Sequence, residues 1–156
     1  MAKKILIVEA PFYEDLTNML VDGAVAALTD VNCVYTRVQV TGVLEIPTAI
    51  YYALEMAKLK DRERYEGFVA LGVVIRGETS HYETVCRESA RGLMELGIRH
   101  GAAIGNGIQT VENREQALVR CDKEKQDKGG HAVRACLSLI AAREKIHKEG
   151  LKYRGR

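Results

Sequence analysis

The residues best equipped for chemistry fall in one run, "LGVVIRGETSHYETV", from Leu71 to Val85. Its first five residues are apolar or glycine, and Arg76, Gly77, Glu78, Thr79, Ser80 and His81 follow at once. A buried strand that gives way to glycine, hydroxyls and a histidine ahead of a helix suits an anion site with a proton-transfer residue beside it. Gly77 permits a tight turn and close backbone approach. Ser80 and Glu83 have capping-box spacing, so free amides near Thr79 to His81 should point out of the helix start. The plain alternatives are that Ser80 and Glu83 merely cap a helix, and that His81 is an ordinary surface histidine.

Glu45, in "GVLEIP", stands just before a helix start at Pro47. The helix dipole alone would favour a carboxylate there; hydrogen bonding to the hydroxyls of a sugar-like ligand is the functional alternative. Phe12 and Tyr13, in "APFYED", are as well suited to a core as to a stacking platform. "GNGIQT" fails the dinucleotide fingerprint, because Thr110 stands where the third glycine belongs. No phosphate-loop motif and no Gly-x-Ser-x-Gly elbow occurs, and nothing supports a covalent nucleophile activated by a base. Cys33, Cys86, Cys121 and Cys136 include no C-x-x-C and no pair with zinc-ligand spacing, so reduced thiols and no metal site are expected.

The elements that must position these residues alternate. "KKILIVEA" is a compact apolar run suited to a strand covered on both faces. From Glu14, Leu16, Met19, Leu20, Gly23, Ala24, Ala27 and Leu28 recur at helical steps. "VNCVYTRVQV" predicts a strand with Val34, Thr36, Val38 and Val40 on one side. A helix opens near Pro47, and "EGFVALGVVI" predicts a central strand. A helix from about Ser80 to Gly97 follows, with Val85, Ser89, Leu93 and Leu96 on one face. "HGAAIGNGI" predicts a glycine-rich fourth strand, and "ENREQALVR" the start of a helix. "KEKQDKGG" is a polar loop or a helix end, and "HAVRACLSLIAAREKIHKEG" is an amphipathic helix ended by Gly150. Such alternation implies a parallel sheet in an α/β protein, with ligands at the carboxyl ends of the strands. Those ends are Ala10–Tyr13, Thr41–Glu45, Arg76–His81 and Asn106–Thr110.

The 156 residues suit one domain, 1–156, with 47% hydrophobic residues for its core. The balance of 23 basic against 21 acidic residues argues against a nucleic-acid binder. The basic excess lies at the ends, in "AKK" and "KYRGR", and is expected to be solvated. No run approaches the roughly 18 apolar residues of a membrane span, and the amino terminus lacks signal-peptide character, so a cytoplasmic protein without membrane partners is expected.

Taken together, "GVLEIP", "LGVVIRGETSHY", "TVENREQALVR" and "DKGG" resemble the lumazine synthase (6,7-dimethyl-8-ribityllumazine synthase) family of riboflavin biosynthesis, over nearly the whole chain. The resemblance implies a flavodoxin-like three-layer sandwich, with a four-stranded parallel sheet flanked by helices. It implies pentamers, in some members assembled into hollow icosahedral shells, with active sites between neighbouring subunits; association with riboflavin synthase stays open. The implied reaction joins 5-amino-6-(ribitylamino)uracil to 3,4-dihydroxy-2-butanone 4-phosphate, with no cofactor and no metal. By the same resemblance, Phe12 matches the aromatic that stacks on the pyrimidine. The Val43–Leu44 backbone and the Glu45 carboxylate match contacts to the ribityl chain and ring, and Val74 and Ile75 border the heterocycle. Gly77, Glu78 and Thr79 match the phosphate turn, and His81 matches the proton-transfer histidine. Arg120 matches the phosphate-binding arginine and Lys128 a lysine near the site. These two, with Asn106, are expected at the pocket rim or from the adjacent subunit.

Three positions depart from the commoner family pattern: Pro11 replaces a polar or basic residue, Asn106 an aromatic that covers the ring, and His131 an acidic residue that touches substrate. The implied chemistry suits the chain, since the amine and the carbonyl both belong to substrates and no protein nucleophile is needed. For Arg120 the alternative role is an ion pair along its helix with Glu124, which requires that helix to continue past Cys121. A flavin-binding or shell-forming protein on the same fold is the alternative function.

Overall fold

A computed structural model describes residues 2–59 and 64–153, without the side chains of 151–153. In chain order the elements are β1 (Lys4–Ala10), α1 (Glu14–Asp30), β2 (Val34–Gln39), a short 3-10 turn (Val43–Glu45), α2 (Ile46–Met56), β3 (Gly67–Ile75), α3 (His81–His100), β4 (Ile104–Val111), α4 (Arg114–Cys121) and α5 (Lys128–Tyr153). The four strands form one parallel sheet in the order β2-β1-β3-β4. The chain therefore winds to one side of β1 and then to the other, as in the flavodoxin-like sandwich. The switch point lies between β1 and β3.

The central strands are those with unbroken apolar runs, because both their faces are covered. Ile5 and Ile7 of β1 pack with Leu16, Leu20 and Leu28 of α1 and with Val133, Cys136 and Ile140 of α5. Leu6, Val8 and Ala10 face the other way, onto Ile46 and Ile50 of α2 and Val85, Leu93 and Leu96 of α3. A fully buried aliphatic of this kind contributes roughly 1.5–3 kcal/mol. Buried Ser89 within α3 is satisfied by donating to the Val85 carbonyl at 2.7 Å. Gly105 matters for the same layer: a Cβ there would fall on the Ala132 carbonyl, so only glycine lets α5 lie this close to β4. Among the described residues no helix is long and apolar enough to cross a membrane.

Several expectations need correction. β2 is an edge strand without a covered face, and Val34 and Val38 are 50% and 41% exposed. α3 continues to His100 and stops at Gly101, whose φ of +65° suits the left-handed cap, whereas Gly97 sits inside the helix. α5 begins earlier, at Lys128, and continues through Gly150 to Tyr153, since Gly150 does not take a left-handed conformation. Lys3 is not simply solvated: it pairs with Glu144 of α5 at 2.5 Å. The basic end "KYRGR" lies largely outside the described residues.

Candidate active site

The carboxyl ends of β1 and β3, with the connection after β2, enclose a cavity of about 380 Å³. It sits at the topological switch point, where a doubly wound sheet leaves a crevice. Each wall has a local reason. Thr17 Oγ1 donates to the Ala10 carbonyl at 3.2 Å, tying α1 to the end of β1 and fixing the turn that carries Phe12 and Tyr13. Phe12 is 71% exposed and meets Tyr13 edge-on, with centroids 5.1 Å apart. The opposite wall is the 3-10 turn. Gly72 of β3 leaves room for the Val43 side chain, which a Cβ would meet. That packing holds Leu44 and Glu45 at the mouth, and Pro47 occupies the first turn of α2 behind them.

The third wall is the end of β3 and the start of α3. Val73, Val74, Ile75, Gly77, Thr79 and His81 line the cavity, with Tyr82 next in the chain and Val85 one turn on. A Cβ on Gly77 would enter open space, and its φ is not left-handed; the residue matters for access and not for turn strain. The expected capping box is absent. Ser80 stands at the N-cap but makes no side-chain cap bond, and the Glu83 carboxylate pairs with Arg76 instead. The Thr79 hydroxyl, not Ser80, accepts from an α3 amide, that of His81 at 3.4 Å. A reciprocal cap forms elsewhere: Asn113 Oδ1 accepts from Gln116 N at 2.9 Å while Gln116 Oε1 accepts from Glu112 N at 3.0 Å.

The nearest cation to the turn is already engaged. Arg76 donates to Glu112 at 2.6 Å and to Glu83, and the hydrogen bond to Arg76 holds the Glu83 carboxyl below its ordinary range. An anion on the 77–79 turn would therefore meet amides, a hydroxyl and His81, but no free guanidinium from Arg76.

Of the residues singled out from the sequence, Phe12, Val43, Leu44, Glu45, Val74, Ile75, Gly77, Thr79 and His81 surround this one cavity. Glu78 belongs to the turn but is exposed and does not line the cavity. Asn106, Arg120, Lys128 and His131 do not line it. Asn106 is exposed on edge strand β4, its Oδ1 accepting from Ile108 N at 3.0 Å. Arg120 closes α4, which ends at Cys121 and so cannot reach Glu124 along the helix. It donates to the Gln116 carbonyl at 3.0 Å, and no carboxylate partner is seen among the described residues. Lys128 and His131 sit in the first turn of α5. Tyr13, Thr41 and Gly42, from the strand ends expected to gather ligands, also line it, and Val73, Tyr82 and Val85 complete the lining beyond the positions selected in advance. Tyr82 carried the clearest signal, since with Val85 it forms an i, i+3 pair on the helix that His81 opens.

The family model of 6,7-dimethyl-8-ribityllumazine synthase matches residues 2–144. The chain belongs to this family. Among its relatives, a 6,7-dimethyl-8-ribityllumazine synthase of Novosphingobium aromaticivorans is 54% identical over 142 residues, covering 91% of this chain and 97% of the relative. That of Sphingopyxis alaskensis is 52% identical over 142 residues, 91% and 96%. 6,7-dimethyl-8-ribityllumazine synthase 1 of Rhizobium meliloti is 50% identical over 145 residues, 93% and 94%. Family membership thus spans both the cavity walls and the segment with Asn106, Arg120, Lys128 and His131.

Proposed function

We propose that this cavity condenses 5-amino-6-(ribitylamino)uracil with 3,4-dihydroxy-2-butanone 4-phosphate to 6,7-dimethyl-8-ribityllumazine. The observation that carries the assignment is one crevice containing an exposed aromatic, a carboxylate, a helix start whose N-cap residue Ser80 makes no side-chain cap bond, and a histidine, in a chain of this family. Phe12 stacks on the pyrimidine, and the Val43–Leu44 backbone and Glu45 hold the ribityl chain. Val74 and Ile75 border the ring, and Gly77, Glu78 and Thr79 form the phosphate turn. The substrate amine attacks the substrate carbonyl and water leaves to give an imine. Phosphate then departs, and ring closure releases a second water. His81 moves protons in these steps, contributing about 10²–10⁴-fold, while holding both substrates in register contributes more, up to roughly 7–11 kcal/mol. No protein nucleophile takes part.

The phosphate dianion needs a cation that the cavity lacks. Arg120 has no carboxylate partner among the described residues and is the best candidate, delivered with Lys128, Asn106 and His131 from an adjacent copy. Oligomers are general in the family, and a pentamer is the assembly proposed here, in the cytoplasm. Exposed Val34 and Val38 on β2, Met94 and Ile98 on α3, and Leu118 and Val119 on α4 are apolar surfaces for it to cover.

The test is to mix purified protein with both substrates and follow lumazine absorbance and fluorescence against the spontaneous background. His81→Ala and Arg120→Ala should each lower the rate. Assembling the two variants together should restore part of it, because some shared sites then receive His81 from one chain and Arg120 from the other. Absence of restoration in mixed oligomers would refute the shared site, and absence of product above background would refute the reaction.

A further inference from the structure

Arg76 has no part in the steps above, yet it touches three elements around the cavity. Its Nε donates to Glu112, just past β4, at 2.6 Å, and its Nη1 donates to Glu83 in the first turn of α3. Its Cζ lies 4.2 Å from the centroid of the Tyr82 ring, which lines the cavity. Its own backbone N–H donates to the Val111 carbonyl at 3.0 Å. One side chain therefore ties the ends of β3 and β4 to the start of α3 and encloses the 77–80 turn.

We propose that Arg76 is a positioning residue for the condensation: it acts through Tyr82 and the first turn of α3, and does not itself bind the phosphate. A planar guanidinium can meet two carboxylates at its edge while its face lies on a ring, a combination an ammonium cannot reproduce. The ion pairs are at the surface, where such pairs contribute little to stability. The arrangement thus acts on geometry, and a small displacement of a cavity wall is enough to slow a two-substrate reaction. This role rests on the assignment of the cavity made above.

The experiment compares Arg76→Lys, Arg76→Met, Glu112→Gln, Tyr82→Leu and the Arg76→Met/Tyr82→Leu double variant as intact oligomers, measuring kcat, the KM of each substrate and Tm. Both Arg76 variants should lose kcat/KM by on the order of 10-fold or more, with Tm within a few degrees of wild type. Glu112→Gln should move in the same direction. The double variant should lose less than the sum of the two single losses, because both changes act in part through the same ring. Four results would overturn the proposal. These are a lower KM for the phosphate substrate in Glu112→Gln, full rescue by Arg76→Lys, additive losses in the double variant, and a fall in Tm with unchanged constants for the folded enzyme. Calorimetric binding of the 5-nitro analogue of the pyrimidine, which lacks the nucleophile, separates this role from the reaction. Weaker analogue binding by Arg76→Met beside an inactive wild type keeps the positioning role and discards the reaction. A wild type that neither reacts nor binds the analogue discards both.

Discussion

Phe12→Ala removes a ring that the fold hardly uses. The residue is 71% exposed, so about 29% of its surface is covered in the folded chain. For an aromatic burying about 200 Å² at most, that is roughly 60 Å², or at most about 1.5 kcal/mol at ~25 cal/mol per Å². In a chain of this length that corresponds to a fall in Tm of no more than about 3–6 °C. The same ring, stacked on a flat pyrimidine, is worth about 1–3 kcal/mol. Its loss should therefore raise KM for 5-amino-6-(ribitylamino)uracil by roughly 5- to 150-fold, while KM for the phosphate substrate stays put. Steady-state lumazine formation, with each substrate varied in turn, reads both constants, and a thermal melt reads the fold. Equal rises in both KM values, or a Tm loss well beyond 10 °C, would show that Phe12 shapes the turn and is not the stacking platform.

His81→Ala should lower kcat by about 10²–10⁴-fold and leave activity above the spontaneous rate, because substrate alignment survives; complete loss in a folded oligomer would contradict the proton-transfer role. Arg120→Ala should chiefly raise KM for the phosphate substrate, and a fall confined to kcat would exclude phosphate anchoring. Burial pushes the Cys121 and Cys136 thiols up to about 11 from an ordinary 9.0. The folded chain then keeps protons that the unfolded chain has lost, so stability should fall as pH climbs from about 9 through about 11. Melts across that range check the slope, which Cys121→Ala with Cys136→Ala should flatten. Gly105→Ala places a methyl on the Ala132 carbonyl, backbone that cannot yield without moving α5. Overpacking of about 1–3 kcal/mol should lower Tm by roughly 2–12 °C, and an unchanged Tm would mean α5 does not pack as described.

What could be read from the chain alone is what depends on neighbours in sequence. The apolar runs of β1 and β3 mark strands covered on both faces, and the three- and four-residue steps of α1 and α3 mark their buried stripes. Strand–helix alternation implies a parallel sheet, and with it a crevice at the strand ends, so Phe12, Glu45 and His81 could be chosen before any coordinates. Side-chain partners were beyond reach where tertiary packing chooses among several candidates within range. Glu83 has the spacing of a capping residue, but tertiary packing brings the Arg76 guanidinium to it and the cap is given up. β2 alternates like a half-buried strand, yet its place at the sheet edge leaves Val34 and Val38 in contact with solvent. Gly97, Gly101 and Gly150 are the same residue type, and only the backbone angle at Gly101 makes one of them a helix stop. Asn106, Arg120, Lys128 and His131 stand at positions that the family resemblance singled out, but the fold puts them on β4 and beyond, away from the cavity of their own chain. Sequence determined which residues could do the chemistry; only the packing of the sheet and its two helical layers decided which of them one chain can bring together.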